Sequence, residues 1–255
     1  MMPKAVSRRT FVASAASALL FALHANILGA RPRSGIRLTA RPGKPRGTAT
    51  PGLSPIGMPD AGRDGQLYVP TSLDPKRPAP MLLALHGATQ NNEVMINRLS
   101  SVADTLGAAL LAPDSRGRTW DAIRGDFGDD PAFIDRALAR TFDKCAIDPA
   151  RIWLCGFSDG ASYGLSLGLA NGDFFSRVLA FSPGFVIPAE RHGKPRIFVS
   201  HGRQDPILPI DRASRAIVPQ LKREGYDVRY DEFEGGHRMP PEVLAAAIQW
   251  LGSKT

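Results

Sequence analysis

A mostly parallel α/β sheet with helices on both faces is predicted by three features of this 255-residue chain. From about residue 62 short apolar runs alternate with longer helix-periodic stretches. Most of those runs are apolar throughout, as strands buried on both faces must be. With 43% hydrophobic and 22% charged residues, the chain suffices for one globular domain with a sizeable core.

The strands follow from the apolar runs Gln66–Pro70, Met81–His86, Ala108–Ala112, Ile152–Gly156, Val178–Phe181, Ile197–His201 and Val228–Phe233. The helices follow from periodic stretches at Glu93–Leu106, Pro131–Phe142, Asp159–Ala170, Asp211–Arg223 and Pro241–Trp250. Ile36-Arg37-Leu38-Thr39 alternates as a short first strand does. Asp148-Pro149 reads as a cap and first-turn proline of a short helical connector.

The net charge of +8 is confined to one end. Residues 1–50 contain nine basic residues and no acid, leaving −1 on the other 205. That distribution argues for export addressing and against nucleic acid as a partner of the folded surface. Ser7-Arg8-Arg9-Thr10-Phe11-Val12, followed by an Ala/Ser/Leu stretch to Ala30, resembles a twin-arginine export signal. Ser14, Ser17, His24 and Asn26 interrupt that stretch and make it a poor spanning helix. The domain reading is therefore a signal segment at 1–30, a linker or irregular edge segment at 31–61 and a folded domain at 62–255. The expected location is periplasmic or extracellular, with the twin-arginine machinery as a partner.

Two cysteines, Cys145 and Cys155, make neither a disulfide framework nor a zinc site. Cys155 lies in an apolar run and reads as an inert core thiol, although a bridge to Cys145 stays open at this stage.

Chemistry concentrates at Gly156-Phe157-Ser158-Asp159-Gly160, which follows an apolar strand and opens a helix. The pattern G-x-S-x-G places a serine on a strained strand-to-helix turn with no room for neighbouring β-carbons. Ser158 alone could equally cap the following helix. Downstream, Asp205 follows the Ile197 strand in His201-Gly202-Arg203-Gln204-Asp205, and His237 ends Glu234-Gly235-Gly236-His237 after the last strand. The order Ser, Asp, His is that of α/β-hydrolases, and each residue falls at the carboxyl end of a strand. Ser158, Asp205 and His237 are thus the candidate catalytic triad. The backbone N–H of Asp159 and that of Ala88, in His86-Gly87-Ala88-Thr89, are the candidate oxyanion hole. His86 and His201 read as structural histidines that hold their loops by hydrogen bonds. Gly160, Gly164 and Gly168 line one helix face and point to close packing on the sheet.

Together these motifs resemble an exported bacterial α/β-hydrolase esterase of the phospholipase/carboxylesterase and polyhydroxybutyrate-depolymerase-like group, over roughly residues 62–252. The resemblance implies Ser158 as nucleophile, Asp205 as acid and His237 as base, acyl transfer from a carboxylic ester through an acyl-enzyme, and no metal or cofactor. The oxyanion loop departs from glycine-richer relatives by carrying Ala88-Thr89-Gln90. Acyl transfer to another acceptor, peptide cleavage, or a binding role on a hydrolase fold would use the same residues. Only Ser182–Arg196 separates the fifth and sixth of the strands named above, so no large lid is expected. Trp120, Asp121, Arg124, Asp126 and Phe127 in the 113–130 connection, and the loop Ser182-Pro183-Gly184-Phe185, are the candidate pocket walls, with Trp120, Asp121 and Phe185 put forward as substrate-binding. Packing within its own loop is the equal alternative for Trp120. A shallow open site suits short-chain or soluble esters, or polyester oligomers.

Overall fold

The computed structural model describes residues 35–58, 62–123 and 127–253. The 1–30 signal segment and two of the candidate wall residues, Arg124 and Asp126, lie outside the described residues.

Eight strands form one sheet in the order β1-β2-β4-β3-β5-β6-β7-β8. Strands β1 (Gly52–Pro55) and β2 (Gly65–Val69) pair antiparallel, and β2 pairs antiparallel with β4 (Ala109–Pro113). From β4 onward every neighbour is parallel: β3 (Ala79–Leu85), β5 (Ile147–Phe157), β6 (Arg177–Phe181), β7 (Arg196–Gly202) and β8 (Val228–Phe233). Among the described residues five α-helices cover the sheet, α1 (Asn92–Leu106), α2 (Asp129–Lys144), α3 (Asp159–Ala170), α4 (Ser214–Arg223) and α5 (Pro241–Gly252).

The period-2 pleat sorts the apolar strand residues between two cores. On β3, Met81, Leu83 and Leu85 join Phe133 and Leu138 of α2, Leu165 of α3 and Leu221 of α4. Leu82 and Ala84 face the other way, with Leu99 and Val102 of α1 and Trp250 of α5. All seven β3 residues are buried, which is why that run has no polar alternate. The parallel sheet with helices on both faces is the α/β-hydrolase fold the sequence predicts.

Two local expectations are corrected. Ile36–Thr39 joins no ladder, although Ile36 and Leu38 are buried. Its backbone partners are side chains: Asn171 Oδ1 accepts the Leu38 N–H, Asn171 Nδ2 donates to Ile36 O, and Asp135 Oδ1 accepts the N–H groups of Thr39 and Ala40. Arg37 adds two bonds of 2.7 Å to the Asp173 carboxylate, fixing the segment as a strap. The first strand is instead Gly52–Pro55, a glycine-, serine- and proline-containing edge with no hydrophobic alternation of its own. Asp148-Pro149 opens no helix, because Asp148 Oδ1 accepts the Ala150 N–H at 2.9 Å and closes a local turn within β5.

Cys145 and Cys155 are both buried and free. Burial pushes their thiols up to about 11 and about 12, which keeps them protonated.

Candidate active site

At the carboxyl end of β5 the chain turns into α3 through Ser158, whose φ of 57° lies in the left-handed region. A β-carbon on Gly156 would stand 2.7 Å from Ala161 N, and one on Gly160 would stand 2.7 Å from the Leu85 carbonyl carbon. Both are blocked by backbone, so the two glycines of the motif are sterically required. The turn is held by Ser158 N–H donating to Phe181 O at 2.9 Å, and by Ala161 and Ser162 N–H donating to Ser158 O.

The loops after β7 and β8 bring the other two residues to the serine. Arg203 N–H donates to Phe233 O and Gln204 N–H to Gly235 O, continuing the β7–β8 pairing beyond the strand ends. Outside that seam, Glu234 accepts from Arg203 Nη1 at 2.6 Å and from Gln204 Nε2 at 2.7 Å. His237 Nδ1–H then donates to Asp205 Oδ2 at 2.6 Å, and Ser158 Oγ–H donates to His237 Nε2 at 2.8 Å. The Asp205 side chain is fully buried, while its Oδ1 accepts the N–H groups of Ile207 and Leu208, each at 2.9 Å. A carboxylate so bound can only accept, which fixes the proton on His237 Nδ1 and leaves Nε2 free to take the serine proton.

Opposite the serine lies the loop after β3. A β-carbon at Gly87 would meet Ser158 Cβ at 3.4 Å, so this loop abuts the serine. Gln90 folds back to accept the Gly87 N–H at 3.2 Å, and Thr89, at φ 60°, donates its N–H to Arg118 O at 2.7 Å. Among the described residues no protein acceptor takes the N–H of Ala88 or of Asp159. His86 is fully buried and holds the loop from below, its Nδ1–H donating to Gly87 O and its Nε2 accepting the Ser115 N–H. Burial lowers its pKa and favours that neutral form. The Asp159 carboxylate accepts from Thr119 Oγ at 2.6 Å.

Two of the proposed wall residues have other work. Trp120 is fully buried, donates Nε1–H to His86 O at 2.8 Å and stacks on Tyr163 with ring centroids 5.1 Å apart. With no exposed surface it offers nothing to a substrate, and of its two readings packing within the loop is the one the structure supports. Asp121 spends both oxygens on backbone N–H groups of Ala122, Gly128 and Asp130. It shapes the 113–130 connection together with Asp130, which is buried and accepts the N–H groups of Arg116 and Asp121. Phe185 remains exposed at 38% and open to a ligand.

Sequence reading missed Ser162 and Ile207. Ser162, one helical turn after the nucleophile, donates to Ser158 O and accepts the Gly184 N–H at 2.9 Å, pinning the Phe185 loop beside the elbow. Only its i+4 spacing from Ser158 marks it. Ile207 is 57% exposed two residues beyond Asp205, a placement that an apolar residue in a surface loop does not reveal by itself.

The profile of the phospholipase/carboxylesterase family matches residues 127–254. Feruloyl esterase C of Emericella nidulans is 28% identical over 172 residues, an alignment covering 64% of this chain and 61% of that protein. This chain therefore spans about three fifths of the length of that relative. Among solved structures, esterase PE8 superposes with a TM-score of 0.61 at 23% identity, over 73% of this chain and 96% of that one. A phospholipase/carboxylesterase from Dyadobacter fermentans superposes with a TM-score of 0.59 at 18% identity, over 80% and 97%. At these identities the two structures establish the fold.

Proposed function

The chain belongs to the phospholipase/carboxylesterase family, and on that premise we propose that it is a serine hydrolase of carboxylic esters. The observation that carries this reading is the unbroken chain Asp205–His237–Ser158, with bonds of 2.6 and 2.8 Å. His237 Nε2 takes the Ser158 proton as Oγ attacks the ester carbonyl carbon. The carbonyl oxygen becomes an oxyanion facing the Ala88 and Asp159 N–H groups, the latter at the positive end of α3. Collapse of the tetrahedral intermediate expels the alcohol, which leaves with the proton from His237. Water, deprotonated by His237, then releases the acid and regenerates Ser158. Asp205 keeps the imidazole in register and stabilises its cationic form.

The substrate reading is a short-chain, soluble or aryl ester, or a polyester oligomer. Between β6 and β7 no helix or sheet strand is inserted, and Ser162 and Ser166 tie that connection down by accepting the N–H groups of Gly184 and Ile187. Phe185, on the loop after β6, and Ile207, on the loop that carries Asp205, offer exposed apolar surface. The likeness to feruloyl esterase C of Emericella nidulans supports an ester of an aromatic acid in particular.

The test is hydrolysis of nitrophenyl esters from acetate to palmitate, with Ser158→Ala as control. Ser158-dependent turnover falling with chain length is expected, while unchanged activity in Ser158→Ala removes the assignment. Export by the twin-arginine route belongs to the same proposal and rests on Arg8-Arg9 and the following apolar stretch. Replacing both arginines by lysine should retain the protein in the cytoplasm of an expressing bacterium, and undiminished export refutes that route.

A further inference from the structure

We infer that His201, backed by Ser214, is a positioning residue that fixes the Asp205–His237 pair from inside the protein. The inference rests on the hydrolase reading above and extends it to two side chains that touch no substrate.

His201 lies near the end of β7 and is fully buried, as is Ser214 at the start of α4. The imidazole Nε2 stands 2.8 Å from Leu208 O and 3.2 Å from Asp205 Oδ2, and Nδ1 stands 2.7 Å from Ser214 Oγ. A carbonyl and a carboxylate only accept, so Nε2 carries the proton. Burial lowers the His201 pKa and keeps the ring neutral, so Nδ1 accepts and the Ser214 hydroxyl donates. One proton arrangement therefore satisfies every contact, and it runs in a single direction: Ser214 to His201 to the loop that holds Asp205.

The consequence for the site is geometric. Leu208 is tied at both ends, its N–H to Asp205 Oδ1 and its C=O to His201. The turn from Asp205 to Leu208 is thereby closed against β7. On the other carboxylate oxygen, His201 Nε2–H lies beside the bond from His237 Nδ1. Without that neighbour the Asp205 side chain would keep its three hydrogen-bond donors, the N–H groups of Ile207 and Leu208 and His237 Nδ1–H, and lose both the tie on the Leu208 carbonyl and the N–H dipole beside Oδ2. An ångström of drift in a catalytic group costs about a hundredfold in rate, so a fully buried histidine here protects turnover while leaving substrate binding untouched.

The experiment compares His201→Leu, His201→Gln and Ser214→Ala with wild type in the full chain. Readouts are kcat and KM for nitrophenyl acetate, the thermal midpoint, and the downfield proton resonance of the His237 Nδ1–H···Asp205 bond. Leucine removes the donor, whereas glutamine can place an amide N–H near the position of Nε2. His201→Leu is expected to lower kcat by about ten- to a hundredfold, the span that one hydrogen bond to a charged group covers, with KM within about twofold. The downfield resonance should broaden or vanish in that variant. His201→Gln should recover most of both, and Ser214→Ala should lower kcat severalfold. A folded His201→Leu with wild-type kcat and an intact resonance overturns the inference. So does equal loss in the leucine and glutamine variants, which would make the role one of packing. If His201→Leu does not fold, wild-type kcat and resonance in Ser214→Ala overturn it. Wild type as inactive as Ser158→Ala would instead defeat the hydrolase reading, and the resonance alone would then decide the role of His201.

Discussion

Substituting alanine at the three glycines of α3 separates steric necessity from helix propensity. At Gly160 the new β-carbon would stand 2.7 Å from the Leu85 carbonyl carbon and closer still to the carbonyl oxygens of Leu85 and His86. Ordinary contact begins at 3.4 Å, so the helix start or the end of β3 must move by most of an ångström, and neither is a side chain that can rotate away. Overpacking of this kind costs about 1–3 kcal/mol. Alanine over glycine in a helix returns about 1 kcal/mol at most, so Gly160→Ala should be net destabilised. At Gly164 the nearest atoms are Leu85 Cδ1 at 3.5 Å and Leu154 Cγ at 3.7 Å, both ordinary contacts. Gly164→Ala should therefore gain the propensity term and raise Tm by about 2–4 °C. Gly168→Ala falls between, since its obstacle is the Val178 side chain at 2.5 Å. The same displacement at Gly160 separates the His86–Gly87 loop from Ser158, so kcat should fall by about a hundredfold there and stay unchanged in Gly164→Ala. Calorimetric melting with nitrophenyl acetate turnover reads both quantities. A Gly160→Ala protein as stable and active as wild type, or a Gly164→Ala protein as damaged as Gly160→Ala, refutes the reasoning.

Two further outcomes follow from buried polar groups. Asn171→Leu strands the Leu38 N–H and the Ile36 carbonyl, so unfolding should cost less by about 1–3 kcal/mol for each buried group left unpaired; an unchanged urea midpoint counts against the strap as a structural element. Burial pushes Asp130 up to about 6 from 3.8, so between those values the folded protein binds the proton that the unfolded chain has released. The stability gained from its protonated form is complete below pH 3.8 and lost as pH rises through about 6, up to about 3 kcal/mol. The difference in urea stability between wild type and Asp130→Asn should vary with pH across that window, and a difference constant from pH 4 to 7 would exclude the effect.

The convergence of Ser158, Asp205 and His237 was legible in the sequence because the fold constrains these positions in ways that the residue pattern reveals. A serine between glycines at the junction of a buried strand and a helix has few alternatives, and the apolar runs of β3, β4, β6 and the second half of β5 mark their own burial by lacking polar alternates. The misreadings share a cause. Ile36–Thr39 has the alternation of a strand, yet alternation reports only which side chains are buried; its hydrogen bonds go to Asn171 and Asp135, more than 90 residues away in sequence. Asp148-Pro149 carries the chemistry of a helix cap, and the same carboxylate closes a turn just as well. Trp120 sits in the connection nearest the site, but only the distance to His86 O shows its indole turned inward. His201 is read as a histidine that holds its loop, as its bond to Leu208 O shows, but its partner Ser214 is assigned by tertiary packing alone.

Backbone strain in this protein is concentrated where the chemistry is placed. Among the described residues, the non-glycine positions with positive φ are Thr89, Ser158 and Ser182, at 60°, 57° and 53°. They follow β3, β5 and β6, three adjacent strands of the sheet. Each costs on the order of 1 kcal/mol and persists only where its surroundings over-determine it. The restraint takes the same form in all three. Thr89 N–H donates to Arg118 O, Ser158 N–H to Phe181 O and Ser182 N–H to Ser200 O. The last two bonds link the end of β5 to β6 and the end of β6 to β7, carrying the ladder one step past each strand end until it reaches the residue before His201. The strained turn at Ser158 is thus anchored through the same strand ends that position Asp205. Ala88-Thr89-Gln90 stands where a glycine-richer loop would be free of strain, and the Thr89 and Gln90 contacts supply the rigidity that extra glycines would remove. A loop held this way fixes the Ala88 N–H in advance, which is the condition that the proposed oxyanion donor must meet to favour a transition state over a ground state.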